Sequence, residues 1–389
     1  MEPTTTLEAE LASVAQGAEP GRTAQIAVRY WGWDGRGGAT LEATGKEFGG
    51  LTRERVRQLC ERLAERLAQQ RPPTRVLERA LVIAAHAAPT TAQGLARRLA
   101  DEHVTARPFD PAGLLTAAAV LGAEATFSLD VVRDLRVALP HPPDPSADTR
   151  AVVSCVVETA RALVRRNGAA RIRDITGQVA ALLAVWVDDA LVTAVVSEHG
   201  DFVWLESRSG WFTLTSVAKN AVVSRVLKVL GVAGRVKVAD LHAGIRRDER
   251  MRDFSMPEYI LLELCRRLPG VAVDGDTVLA EEPVAAKDVL ETTELTLVRL
   301  LREAGGAMER HELERLCLHA GMNRSSFSNR ISYSPILEDR GRGVYGLRGL
   351  DGRQAAESAG PAGADAAATP EDDTPRPGDL DHFRAPRRR

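Results

Sequence analysis

One pattern recurs along most of this chain and restricts it to a narrow set of folds. An amphipathic helix is followed by a short polar link, a second helix, a third helix, and then two short strands around a turn. The first helices of successive units start near Arg75, Ala151, Lys219 and Glu291. The closing strands read FSLD (Phe127–Asp130), FTLT (Phe212–Thr215), TVLA (Thr277–Ala280) and YGLR (Tyr345–Arg348). Each has leucine in third place, so Leu129, Leu214, Leu279 and Leu347 serve as anchors, 85, 65 and 68 residues apart. Repetition at such a period marks an array whose units are single supersecondary structures. A helix-turn-helix with an appended β-hairpin is the winged-helix plan. The expected fold is mainly α with small β-hairpin wings: a helix-turn-helix near the N-terminus, then about four tandem winged-helix units.

Local signals set the boundaries. The longer first interval contains PHPPDPSAD, Pro140–Asp148; prolines this dense neither continue a helix nor supply ladder donors. The division expected is 1–25, a helical or flexible segment; 26–71, the helix-turn-helix; 72–139, a degenerate winged helix; and 140–149, a Pro-rich linker. Winged-helix units follow at 150–216, 217–284 and 285–350. Residues 351–389, rich in Ala, Pro, Gly and Asp and ending in APRRR, read as a disordered tail. SMPE at Ser255–Glu258 predicts a capping box opening a helix over Met256–Leu268. On that helix Ile260, Leu261, Leu264 and Leu268 share one apolar stripe. In the last unit a polar-capped helix, Asn323–Ser332, precedes a hairpin around Arg340-Gly-Arg-Gly.

Composition excludes several classes. At 389 residues the chain exceeds one ordinary core. Its net charge of −2 makes it no polycation, so any nucleic-acid affinity must come from a local basic surface. Cys60, Cys155, Cys265 and Cys317 are far apart and read as buried apolar side chains in a reducing cytoplasm. The N-terminus lacks a basic-then-apolar signal pattern. The best apolar run, starting at Ala181, is broken by Asp188 and Asp189 and is too short to span a bilayer. A cytoplasmic, nucleoid-associated protein without a membrane partner is expected. No phosphate-cradling G-x-x-x-x-G-K-[ST] and no H-E-x-x-H occurs, and His311-Glu312 precedes His319 at the wrong spacing for zinc. No catalytic residue, cofactor or metal ligand is assigned, and the protein is not expected to be an enzyme.

The stretch TLEATGKEFGGLTRERVRQLCERL, from Thr40, reads as a short helix, a glycine turn and a longer helix. With Thr52 as N-cap and about 100° per residue, Val56, Leu59, Cys60, Leu63 and Leu67 fall in one narrow sector. Glu54, Arg57, Gln58 and Glu61 fall opposite, and Arg53 sits at the first exposed turn. Between Thr52 and Arg75 seven arginines stand against three glutamates. The second helix of a helix-turn-helix enters the major groove with its N-terminal residues at the base edges. Arg suits guanine, Gln suits adenine and Glu accepts from cytosine. The alternative is a solvated, salt-bridged helix face.

RYWGWDGRGGATLEATGKEFGGLTRERVRQLCERL, Arg29–Leu63, resembles region 4 of bacterial sigma factors of the sigma-70 family. The shared elements are the Arg-aromatic-Gly…Asp-Gly segment, T-L-E-x-x-G-x-x-x-G, and the run T-R-E-R-V-R-Q at Thr52–Gln58. In that family the second helix reads the promoter −35 element, and the domain docks on the flap of the RNA polymerase β subunit. The resemblance implies that Arg53, Glu54, Arg57 and Gln58 contact bases and phosphates of double-stranded DNA. Thr52 would cap the reading helix, and Thr40 with Leu41 would start the supporting one. Two departures stand out: Gly49-Gly50-Leu51 makes the turn one residue longer than usual, and Ala43 replaces a glutamate that commonly completes a cap. Only 28 residues precede Arg29 and aromatics are 4% of the chain. A complete sigma factor, with its aromatic-rich strand-melting domain, is therefore not expected.

The later units differ in their fitness for DNA. In the last, Arg324, Arg330, Arg340 and Arg342 lie on the third helix and the wing, with Ser325, Ser326, Ser328 and Asn329 between them. Such side chains position a duplex through its phosphates. The unit starting near Lys219 has a basic second helix but an apolar and acidic third helix, which suits packing or protein binding. Asp188, Asp189 and Glu198 flank the third helix of the unit near Ala151 and would repel phosphate. That unit also carries Trp186, Trp204 and Trp211, read as core residues or, more sharply, as a protein-binding groove. The sequence thus points to a DNA-binding transcription factor, with RNA polymerase as a partner the resemblance adds. The competing reading is an adaptor that reads no DNA and uses all these modules for protein contacts.

Overall fold

The computed structural model describes residues 5–142 and 148–350. The expected tail at 351–389 and the centre of the proline-rich linker lie outside the described residues. Four helices form the N-terminal part: α1 (Leu7–Ala18), α2 (Arg22–Trp31), α3 (Leu41–Glu47) and α4 (Arg53–Gln70). Threonines begin three of them, since Thr6, Thr40 and Thr52 each accept a hydrogen bond from the backbone N–H three residues on. Each satisfies one donor that the first helical turn leaves unpaired.

Four units of one element order follow. The first is α5 (Arg75–Ala87), β1 (Thr90–Thr91), α6 (Ala92–Asp101), α7 (Pro111–Leu121), β2 (Phe127–Val132) and β3 (Leu135–Pro140). The second is α8 (Thr149–Asn167), β4 (Ala170–Arg171), α9 (Ile172–Leu183), α10 (Asp189–Ser197), β5 (Phe202–Glu206) and β6 (Trp211–Leu214). The third is α11 (Ala221–Ala233), β7 (Arg235–Lys237), α12 (Val238–Arg247), α13 (Glu258–Cys265), β8 (Val271–Asp274) and β9 (Thr277–Ala280). A short α14 (Ala286–Val289) leads to the fourth: α15 (Thr292–Glu303), β10 (Ala307–Glu309), α16 (Arg310–His319), α17 (Arg324–Tyr333), β11 (Leu337–Asp339) and β12 (Val344–Leu347). The described residues are thus mainly helical with small three-stranded antiparallel sheets. All four sheets share one order, with the last strand in the centre: β1-β3-β2, β4-β6-β5, β7-β9-β8 and β10-β12-β11.

Several expectations are corrected. The link between the first two helices of each unit is a short strand, which the sequence pattern did not register. Leu129 lies on the first strand of its hairpin, whereas Leu214, Leu279 and Leu347 lie on the second, so the four anchors are not equivalent. Leu214 and Leu347 are buried, while Leu129 and Leu279 are only half-buried. The first unit extends to Pro140, which closes β3 opposite Phe127, so its interval is lengthened by its own hairpin and not by the linker alone. The capping box at Ser255 does not form: α13 begins at Glu258, with Pro257 at its N-cap and no side-chain hydrogen bond there. Its apolar stripe is nonetheless buried at Ile260, Leu261 and Leu264, with Leu268 partly buried beside it.

Three buried clusters bind the array together, and none respects the boundaries of a repeat. Leu7, Leu11 and Ala15 of α1 share a core with Val56, Leu63 and Leu67 of α4 and with Leu77, Leu114 and Phe127 of the first unit. Val132, Leu135, Val137 and Leu139 of the β2–β3 hairpin belong to the core of the second unit. Leu205 and Trp211 of the β5–β6 hairpin join the core that runs through the third and fourth units. The hairpins of the first and second units are therefore each packed against the next unit.

Candidate nucleic-acid interface

The turn between α3 and α4 has a steric cause. The chain from Gly49 to Leu51 folds back so that the N–H groups of Gly50 and Leu51 both donate to the Gly45 carbonyl, at 2.9 Å each. Both Gly49 and Gly50 have positive φ, at 78° and 77°. A Cβ at Gly45 would collide with the Leu51 carbonyl oxygen. The first glycine of the T-L-E-x-x-G run is thus the residue that lets the turn close on α3. The longer turn is accommodated by these two left-handed glycines, and Thr40 caps α3 without help from position 43.

Two arginines hold α3 in place against α2. Arg29 of α2 donates to Glu47 at 3.1 Å and to the Gly37 carbonyl at 3.0 Å. Arg22 donates to the Phe48 carbonyl. The glycine loop between Gly32 and Gly38 is in turn seated on α7 through Phe109 and Asp110, which lie against Gly35 and Gly37. Asp110 caps α7 by accepting from Ala112 N–H and takes a two-pronged contact from Arg136 of β3, at 2.8 and 2.9 Å. Hydrogen bonds from Arg136 are the main cause that holds the Asp110 carboxyl below its ordinary range.

The face of α4 divides as its periodicity requires. Val56, Leu59, Cys60, Leu63 and Leu67 are buried, whereas Thr52, Arg53, Glu54, Arg57 and Gln58 are exposed. No neighbouring unit covers that face among the described residues. Burial pushes the Cys60 thiol up to about 12, which makes it an apolar filler of the inner face.

The outward residues form one network. Arg57 is held by Glu54 at 3.0 and 2.7 Å and by Glu61 at 2.5 Å, and Gln58 donates to the same Glu54 at 3.0 Å. The bond from Arg57 is the largest cause that lowers the Glu54 pKa, followed by that from Gln58. The two glutamates raise that of Arg57. Glu54 thereby holds two donors in a fixed fan above the helix. Arg53, Arg55 and Arg62 are exposed beside it, and Arg62 reaches only the Gln58 carbonyl, at 3.2 Å. Arg55 and Arg62 add positive charge next to the four residues selected by motif.

The four arginines of the last unit part company. Arg324 is exposed at the start of α17 and pairs with Glu314 at 3.0 Å. Arg342 is exposed at the tip of the β11–β12 hairpin and makes no side-chain hydrogen bond among the described residues. Arg330 instead turns inward, to Glu291 and to the Thr293 hydroxyl at 3.0 Å, and it lies 3.8 Å from the fully buried Glu294. Glu294 also accepts from Lys228 at 2.8 Å and from Ser334 at 3.0 Å, so Arg330 is part of the joint between α11, α15 and α17. Arg340 folds back over β12, donating to Glu338 at 2.9 Å and to the Leu350 carbonyl at 2.6 Å. Arg330 is half-buried in that joint, whereas Arg340 remains an exposed residue whose guanidinium is taken up by these two acceptors.

The tryptophans also separate. Trp211 is buried and Trp204 half-buried, but Trp186 is 83% exposed, which corrects its reading as a core residue. It stands at a cleft of about 1290 Å³ between the first and second units, facing Arg79, Ile83, His86 and Arg97. Among the described residues no helix is long and apolar enough to cross a membrane. No protein-family model matches the chain, and no curated protein is significantly similar to it.

Proposed function

We propose that this protein is a sequence-reading, DNA-binding transcription factor. Its head resembles sigma factor region 4, and its body is a tandem array of winged-helix units. The repeated element order and the shared strand order support the winged-helix assignment. One observation carries the function: the polar N-terminal face of α4 stands open to solvent on a helix whose start is fixed by Thr52 and whose opposite face is locked in the core. The major groove admits a helix of this kind, and Arg57, Gln58 and Glu54 are the residue types that discriminate bases. Arg53, Arg55 and Arg62 supply phosphate contacts, which set register without carrying sequence. RNA polymerase, through its β-subunit flap, is the protein partner that the resemblance suggests.

Selection from a random duplex library tests the reading. Enrichment of a short motif is expected, and Arg57→Ala should weaken binding to it roughly 5- to 150-fold and relax the preference at one base pair. With six to ten phosphates engaged, affinity should fall about 10³–10⁵-fold between 50 and 200 mM salt. Binding without any enriched motif, or an Arg57→Ala protein with unaltered preference, would refute the base-reading assignment.

Trp186 favours a second reading, an adaptor built for protein contacts. A large aromatic side chain left in water beside a cleft is a common anchor for a partner protein. On that reading Trp186→Ala abolishes the partner contact and random duplex fails to shift at low salt.

A further inference from the structure

In each unit the third helix and the hairpin are the elements a duplex would meet, and the units spend them differently. In the first, α7 packs against α2 and α4, and Ala119 is its one exposed residue. In the second, α10 packs on β1 of the first unit. In the third, α13 packs on β5 of the second, and Leu264 sits against Gly168, whose left-handed φ of 80° would make any side chain there both strained and in collision. The hairpins of the first two units also bury one face in the cores of their successors, with their tips, at Arg133 and Arg208, left exposed. Three successive units thus have their third helices occupied by the body of the molecule.

The fourth unit breaks the series. The position on the third unit next to β7 is filled by the chain around Gly349, which rests on Ala233 and Val236. Only the C-terminal end of α17 is engaged, where Arg247 donates to the Ile331 carbonyl and Arg252 lies 3.3 Å from the Tyr333 hydroxyl. The rest of the helix shows Arg324, Ser325, Asn329 and Ser332 to solvent. α17 itself has no carboxylate, although Glu314 of α16 reaches Arg324, and Asn323 caps the helix by accepting from Ser326 N–H at 2.7 Å. Arg342 stands at the tip of the adjoining hairpin, between two glycines with positive φ. By contrast, α13 shows Glu258 and Tyr259, and α10 starts with the exposed Asp189.

From this we infer that α17 and the β11–β12 hairpin form a second duplex-binding head, held apart from α4 by three units that act as a spacer, so that one molecule engages two separate duplex segments. The inference rests on the DNA-binding reading above and extends it to a second surface. Charge complementarity selects the partner: α17 itself carries no acid, Arg342 stands at the hairpin tip, and Arg324, paired with Glu314 in the free protein, can turn to a phosphate, which suits a phosphate backbone on either side of a groove. Packing keeps the heads apart. Among the described residues every side-chain hydrogen bond between units joins neighbours, such as Arg133–Glu158, Arg166–Asp253 and Lys228–Glu294.

The test uses the full chain and two duplexes, one fixed to beads and one fluorescent. Wild-type protein should carry the fluorescent duplex to the beads. Arg53→Ala with Arg57→Ala should abolish that capture yet leave direct binding to a random duplex. Adding Arg324→Ala and Arg342→Ala should remove the remaining binding. On its own, the second pair should lower the salt slope of duplex binding by about 2, one per lost phosphate contact. If the α4 variant retains no duplex binding, the second head is refuted and the α4 reading stands. If the α17 pair alone abolishes all binding, the second head stands and the α4 reading fails. Arg299→Ala, on the exposed face of α15, should change nothing; a loss as large as that from Arg324 and Arg342 would mean diffuse attraction and overturn the assignment.

Discussion

Helices α4 and α7 lie against each other, yet they have opposite fates. α4 keeps one face in the core and turns Arg53, Glu54, Arg57 and Gln58 outward. α7, with the sequence PAGLLTAAAVL, has no charged side chain and is almost wholly enclosed. Both follow a shorter helix and a turn, so local architecture alone does not leave a polar face open. What decides is whether the outward face can stay wet after the neighbours have packed. The same contrast separates α10 and α13, which are seated on preceding units, from α17, which is seated on none over most of its length.

Truncation should break this comparison most sharply. Leu114→Ala in α7 should cost about 2–5 kcal/mol of stability, read by denaturant unfolding, because Leu114 has no exposure and joins the head to the first unit. Arg57→Ala in α4 should leave the unfolding midpoint unmoved while it weakens DNA binding. A large loss of stability from Arg57→Ala would mean that α4 is a structural helix too.

Next in size is Gly45→Ala. Its Cβ meets the Leu51 carbonyl, so the turn must open, at about 1–3 kcal/mol. Binding should fall further than stability, because α3 and α4 would no longer cross at the same angle. Equal loss of both would show that the turn merely holds the fold.

Asp110→Ala should cost about 1–2 kcal/mol: the N-cap of α7 is lost, and its ion pair with the half-exposed Arg136 adds little after solvent screening. Because the Asp110 pKa is depressed in the folded chain, its contribution is fully present above the ordinary carboxylate range. It is lost as pH falls through the lowered value. Unfolding curves of wild type and variant should therefore converge in acid.

The smallest effect on folding is expected from Glu54→Gln, which unties Arg57 and Gln58 at an exposed site. Stability should not move, affinity for random duplex should rise, and discrimination between the selected motif and random duplex should shrink. Unchanged discrimination would show that the network does not orient the two donors.

Much of this architecture was legible because its causes are local. The starts of α4 and α17 follow from Thr52 and Asn323, and the buried faces of α4 and α13 follow from leucine spacing. The short strands were not legible: β1 and β4 hold two residues each, too few for an alternating pattern to register. Leu129 misled because both strands of a hairpin alternate alike. The inward turn of Arg330 was invisible because Glu291 lies 39 residues away, and a charged side chain on a polar helix reads the same whether it faces water or a distant carboxylate. Trp186 erred in the other direction, since hydrophobicity predicts burial only where a neighbour arrives to provide it. Gly45 was quoted within a motif, but its purpose emerged only when Leu51 was seen to fold over it.

The seat that Gly168 offers to Leu264 has a practical corollary for anyone shortening this chain. Since the second and third modules each lend a helix to the one before, a cut placed ahead of either does not release two tidy halves. It leaves the upstream fragment with a bare apolar ledge and the downstream one with an orphaned rib, both prone to clump. Fragments meant to behave well in a test tube should carry the borrowed helix across the cut.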